Sequence, residues 1–182
     1  MNKMFITKLL IAFWLFAAAT SAFAAQTCSA NISSFTAPDS RYTDNSDGTV
    51  TDKRTGLMWK QCSEGLTTNA SACDSGSAAT FTWLEAMRQA QTVNSESFAG
   101  HEDWRMPNRN ELASLVERRC QFPSINENLF PYIQDQENRY WSSSPRQFGS
   151  AETAKSIAFI FGNGQLSLKS LLYSVRLVRG GL

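Results

Sequence analysis

Four cysteines, Cys28, Cys62, Cys73 and Cys120, all follow an export leader, and that arrangement limits the fold more than any other feature of the chain. Lys3 and Lys8 flank a short basic region, and Leu9 to Thr20 carries no charge. A membrane-spanning helix needs roughly 20 apolar residues, whereas this run of about a dozen ends at Ala22-Phe23-Ala24, a small-x-small cleavage pattern. Residues 1–24 are therefore read as a signal peptide, cut after Ala24 or one residue later. An uncleaved anchor is set aside because no stop-transfer sequence or basic cluster follows. A lipid anchor is set aside because no small residue directly precedes Cys28. No membrane insertion is expected once the leader is gone.

The destination is the periplasm, the cell surface or the medium, where an even cysteine count points to two disulfides. Cys62 and Cys73 bracket a Gly/Ser/Thr/Asn-rich stretch and are paired with each other, which by subtraction leaves Cys28 for Cys120. Loop entropy assigns roughly 3 kcal/mol to the short bridge and somewhat more to the long one. Zinc is the competing use of four cysteines. The spacing holds no C-x-x-C knuckle and His101 is the only histidine, so no metal or other cofactor is expected.

Removing the leader takes away two lysines and leaves 15 basic against 16 acidic groups. A near-neutral chain has no global electrostatic reason to bind nucleic acid. About 158 residues suffice for one core, and the aromatic content, gathered in short extended stretches, argues for a mixed fold over a helical bundle.

Residues 25–40 read as an irregular lead-in pinned by Cys28, and residues 41–182 as the domain. Thr49-Val50-Thr51 and Leu57-Met58-Trp59 predict a hairpin, with Gly56 where a positive φ is wanted. Thr82 with Glu85 and Asn108 with Glu111 are capping boxes. They predict helices over 83–93, with Trp83, Ala86, Met87 and Ala90 on one face, and over 109–119, with Leu112, Leu115 and Val116 buried. Tyr140 to Ser144 predicts a strand ending at Pro145. Ser156–Phe161 and Gln165–Leu168 predict a hairpin turning at Gly162-Asn163-Gly164. Tyr173 to Val178 alternates, so the last strand is expected to bury one face and to pair with the first. The order of elements is α+β.

Catalytic residues are not expected. His101 sits in a polar, turn-like stretch away from a nucleophile, and Ser142-Ser143-Ser144 lacks a G-x-S-x-G elbow. Asp44, Asp47 and Asp52 resemble half a calcium loop, but the bidentate glutamate position falls on Thr55, so an Asx turn is preferred. Arg139, Arg146, Lys155 and Lys169 are candidate ligand contacts if they share a face, since cations there would grip sulfated or carboxylated sugars. Trp59, Trp83, Trp104 and Trp141 read as packing residues first.

Asp47 to Asp52, Thr55-Gly56-Leu57-Met58-Trp59, Trp83 to Ala86, Asp103-Trp104-Arg105-Met106-Pro107-Asn108, Glu111-Leu112, Tyr140 to Ser143 and Val175 to Gly180 together resemble the C-terminal domain family of the Legionella collagen-like adhesin. The resemblance spans about Tyr42 to Gly180. It implies a C-type lectin-like fold: a twisted antiparallel sheet that brings the termini together, two helices and long loops. It also implies a non-enzymatic module that engages carbohydrate, glycosaminoglycan-like, or protein ligands through loops between about Gln121 and Lys155. The adhesin trimerises behind a collagen-like stalk; no such stalk is present here, and oligomerisation is left open. The related formylglycine-generating enzyme works through a late copper-binding cysteine pair, and no cysteine follows Cys120. On this resemblance Trp59, Trp104, Arg105, Pro107, Glu111, Trp141, Arg176 and Arg179 are framework. A structural or accessory subunit of an envelope or pilus-like assembly is the alternative function.

Overall fold

The computed structural model describes residues 25–69, 72–131, 139–146 and 151–180. Residues 1–24, where a leader and its cleavage pattern are expected, lie outside them. In chain order the strands are β1 (Thr27–Cys28), β2 (Tyr42–Asp44), β3 (Thr49–Asp52), β4 (Met58–Lys60), β5 (Leu66–Asn69) and β6 (Ala72–Gly76). Helices α1 (Trp83–Ser95) and α2 (Arg109–Ser114) follow, then β7 (Cys120–Gln121), β8 (Arg139–Pro145), β9 (Thr153–Ala158), β10 (Asn163–Leu168) and β11 (Val178–Arg179). All the strand pairs are antiparallel, in sheets ordered β11-β4-β3-β2, β10-β9-β8, β5-β6 and β1-β7. The class is α+β.

Both helix starts follow their capping chemistry. Thr82 Oγ1 accepts from the Glu85 amide while Glu85 Oε2 accepts from the Thr82 amide at 2.9 Å. Asn108 Oδ1 accepts from the Asn110 and Glu111 amides, and Glu111 Oε2 accepts from the Asn108 amide at 2.7 Å. In α1 the buried stripe is Ala86, Ala90 and Val93, at i, i+4 and i+7, packed on Trp104, Met106, Trp141 and Tyr173. Met87 is 38% exposed and lies off that stripe, which corrects the predicted face.

The second helix stops at Ser114, five residues short of the expected end. The chain leaves the helix because Val116 bridges Ile125 and the Glu117 amide donates to the Ser124 carbonyl. Leu112, Leu115 and Val116 are buried all the same, in the core formed with Tyr42, Val50, Trp59, Phe130, Tyr140 and Phe159.

The β3–β4 hairpin forms with Thr51 opposite Met58 and with Gly56 at φ +71°, a conformation glycine adopts without strain. The later hairpin turns earlier than predicted: Asn163 already pairs with Ala158, so residues 159–162 make the turn and Gly164 lies in the strand.

Two expectations for the last segment fail. Tyr173 to Val178 is buried at every position, because the segment threads the interior and bonds on both sides. Tyr173 exchanges hydrogen bonds with Phe81, Ser174 donates to the Arg139 carbonyl, and the Val175 and Leu177 carbonyls accept from Glu64 and Lys60. Val178 then pairs with Trp59 of β4. The last strand does not meet Thr49–Thr51, whose two edges are already taken by β2 and β4.

Candidate functional site

The signature residues converge where the Asp103–Asn108 segment meets the C-terminal strand. Arg105 donates from Nη1 and Nη2 to the two Glu111 oxygens, both at 2.8 Å, and from Nη2 to the Gly180 carbonyl. Burial alone would raise the Glu111 carboxyl; the Arg105 and Asn108 hydrogen bonds outweigh it and hold it below the usual range. Arg179 Nε donates to Asp103 Oδ1 at 2.6 Å, and that bond lowers the Asp103 carboxyl. The Pro107 carbonyl accepts from the Ser143 amide, which ties the segment to β8.

Three of the tryptophans are closed into the interior. Trp59 is fully buried. The Trp104 indole donates to the Phe98 carbonyl and the Trp141 indole to the Phe81 carbonyl. Trp83 is half-buried, and its indole donates to the Ser142 carbonyl. Arg176 is buried between the Phe130 and Tyr140 rings, with its centre 5.2 and 5.8 Å from them, and Nη1 donates to the Lys60 and Gln61 carbonyls. Burial pulls its guanidinium below the usual value, against Tyr140 and Glu64.

The sulfurs pair Cys62 with Cys73 and Cys28 with Cys120. The long bridge holds the lead-in against β7, and Ala37 from the lead-in donates to Glu117 Oε2.

The candidate calcium residues do not converge. Asp44 Oδ1 accepts from the Ser46 amide and Asp47 Oδ1 from the Thr49 amide, both Asx-type turns. Asp52 faces the other way, its carboxylate gripped by Arg41 and by Thr55 Oγ1. Among the described residues no three His, Cys, Asp or Glu side chains gather as a metal site.

The sheet separates two of the four candidate cations, Arg139 and Lys155. Arg139 lies opposite Ala158 and donates to Ser156 Oγ, whereas Lys155 takes the other face of β9. Lys169 stacks its ammonium 4.3 Å from the Trp83 ring. Arg146 is exposed at the end of β8, with its amide bonded to the Thr153 carbonyl. Parts of the loops expected to carry ligand, residues 132–138 and 147–150, lie outside the described residues.

Among the described residues, depressions open at three places that bear on ligand binding. The first, about 420 Å³, lies between the lead-in and the 125–128 segment and is lined by Asp39, Glu117 and Glu127, with the Asn126 and Asn128 side-chain amides donating to Asp39. A second, about 310 Å³, lies over the β1–β7 pair between Arg118, Arg119, Gln121, Ile32 and Phe161. Arg119 is held in place, its Nε donating to the Ser29 carbonyl and its guanidinium 4.3 Å from the Phe35 ring. Phe161 is 55% exposed and sits edge-to-face on Phe122, and a Cβ on the next residue, Gly162, would meet Val116 Cγ1 at 2.5 Å. The third depression, about 270 Å³, separates α1 from the Cys62–Cys73 hairpin.

Sequence reasoning missed the second depression because it placed Arg118 and Arg119 inside a helix. The signal that was present is a pair of arginines abutting a disulfide cysteine. His101 faces Trp104, ring centres 6.4 Å apart. Among the described residues no helix is long and apolar enough to cross a membrane, and the two disulfides fit an exported domain.

No curated protein matches the chain. The family described as the Lcl C-terminal domain matches residues 48–179, from the turn before β3 to the last residue of β11, and the chain belongs to that family.

Proposed function

We propose that this chain is an exported, adhesin-like and non-enzymatic binding module, at work in the periplasm, on the cell surface or in the medium, and that it holds anionic carbohydrate in the cleft between Arg118, Arg119 and Phe161. The observation that carries the reading is Phe161. A large aromatic held 55% exposed on a tight turn, beside two arginines, is the composition of a contact surface and not of a core. The guanidiniums suit a sulfate or carboxylate, and the ring suits the C–H face of a sugar. Gln121 brings the predicted loop region into the same cleft. A C-type lectin-like scaffold accords with this reading, since β11 and the β2–β4 strands bring both ends of the domain into one sheet.

Heparin-column retention and glycan-array binding of the chain from Ala25 onward test it. Retention is expected to fall with salt and to drop in Arg118→Gln and Phe161→Ser. Silence on both assays, in calcium and in chelator, would refute a sugar ligand.

The second reading, an accessory subunit of an envelope assembly, draws on a different surface. Leu166 and Leu168 are exposed on β10, the edge strand of its sheet, with Leu171 and Leu172 exposed just beyond. Co-purification of a partner from envelope fractions, lost in Leu168→Lys, would favour it; a monomer without partners would count against it.

A further inference from the structure

The third depression contains something the anionic-ligand cleft does not, a buried and oppositely charged pair in its wall. Lys60 Nζ lies 2.8 Å from Glu64 Oε1, with the two side chains 10% and 3% exposed. Removing two charges from water costs several kcal/mol each, and a pair alone seldom recovers that. The pair is also imperfect. Its contact is close but misaligned, so that Glu64 Oε1 receives no hydrogen bond, and the ammonium leans over the Phe98 ring at 4.3 Å.

The groups around the pair have capacity left over. An ammonium has three donors, and the described partners of Lys60 are one carboxylate oxygen and one ring. Gln89 Nε2 donates to Glu64 Oε2 at 3.0 Å, which orients the amide and leaves its carbonyl oxygen as an acceptor. Val93, Leu66 and Cys62 supply apolar wall. Glu64 reaches a ligand only through the Lys60 and Gln89 side chains that it holds, as a positioning residue.

We infer that this depression is a second ligand site, independent of the Arg118 cleft, and that it takes the adjacent hydroxyls of a neutral sugar. The Lys60 ammonium donates to one hydroxyl oxygen, and the Gln89 carbonyl accepts from its neighbour. Charge decides the class. Lys60 and Glu64 cancel, and Glu96 on the rim is acidic, so a sulfated or carboxylated ligand gains nothing here that it does not lose. Size limits the ligand. About 270 Å³ falls just below the roughly 300–1,000 Å³ that ligand pockets occupy, which leaves room for one ring and not a chain.

The test is a titration followed by NMR. Mannose, galactose, glucose and N-acetylglucosamine are added in turn to the chain from Ala25 onward, with a heparin tetrasaccharide as the anionic control. At least one neutral sugar is expected to move the Gln89 side-chain amide and Phe98 resonances saturably, with a millimolar dissociation constant. Lys60→Met is expected to weaken that binding about tenfold or more, the loss of a charged hydrogen bond. Should Lys60→Met fail to fold, Gln89→Met at a half-buried helix position replaces it, with a loss of about fivefold expected. The inference is overturned if no neutral sugar moves these resonances, if the heparin fragment moves them as well as the sugars do, or if the variants bind unchanged. Heparin retention through Arg118 that survives such a failure would leave the anionic-glycan reading standing.

Discussion

Arg41 and Asp52 form an ion pair with side chains 6% and 0% exposed, and the guanidinium bonds both carboxylate oxygens. Arg41 also donates to the carbonyls of Thr36 and Ser114, at 3.0 and 2.9 Å. One side chain thus joins the lead-in, the four-stranded sheet and the end of α2.

Removing one partner of such a pair leaves a buried charge uncompensated. Asp52→Asn is expected to lower stability by about 3–5 kcal/mol, which urea unfolding of the variant measures. The double variant Arg41→Met/Asp52→Leu removes both charges and is expected to lose less than the sum of the single changes. Simple additivity would mean the two residues act separately.

Acid should loosen the fold in a defined window. Asp52, Glu111 and Asp103 are held below their ordinary values by arginine hydrogen bonds, those of Asp52 and Glu111 against the opposing effect of burial. A carboxyl lowered on folding contributes stability that is complete above its unfolded value and is lost as pH falls through the folded one. The melting temperature is therefore expected to hold near neutral pH and to drop below roughly pH 4. Glu127 works in the opposite sense, since burial raises its carboxyl and makes ionisation a small cost as pH rises. Asp52→Asn should flatten the acid limb more than Asp103→Asn, because Asp103 is largely exposed and screened.

The Cys28–Cys120 bridge should matter to binding as well as to stability. It closes a loop of 92 residues, for which chain entropy gives roughly 4–5 kcal/mol. It also holds β1, which floors the Arg118 cleft, against β7. Cys28→Ser/Cys120→Ser is expected to melt lower and to lose heparin retention while Cys62→Ser/Cys73→Ser keeps it. Equal retention in both pairs would show that the lead-in does not shape the cleft.

What the sequence disclosed was local chemistry; what it concealed was partnership. Thr82 and Asn108 announced their helices because a cap and its N3 glutamate bond within four residues. The end of α2 was hidden, since Leu112, Leu115 and Val116 are buried whether or not the helix continues, and only the distant Ser124 carbonyl ends it. Tyr173 to Val178 showed strand alternation, yet alternation cannot reveal that both faces meet protein. Arg139 and Lys155 looked like one basic patch until the register of β8 on β9 put them on opposite faces. Lys60 and Glu64 gave no warning of a shared cavity, because α1 closes over them from residues 89–96.

The turn at residues 159–162 offers the sharpest mutational test of the anionic-ligand cleft. Gly162 has φ +69°, and a Cβ there would fall 2.5 Å from Val116 Cγ1 and 3.2 Å from Ser124 Cβ. Strain in the left-handed region adds to that overlap, so Gly162→Ala is expected to cost about 2–4 kcal/mol, enough for a visible shift in urea midpoint. The overlap pushes the turn away from the 122–124 segment, to which it is bonded through the Ile160 and Phe159 carbonyls. Phe161 would move with it, away from Arg118 and Arg119. Heparin retention should therefore fall in Gly162→Ala at temperatures where the variant is still folded, whereas Gly100→Ala, with open space around its Cβ and also at positive φ, should lose some stability and no retention.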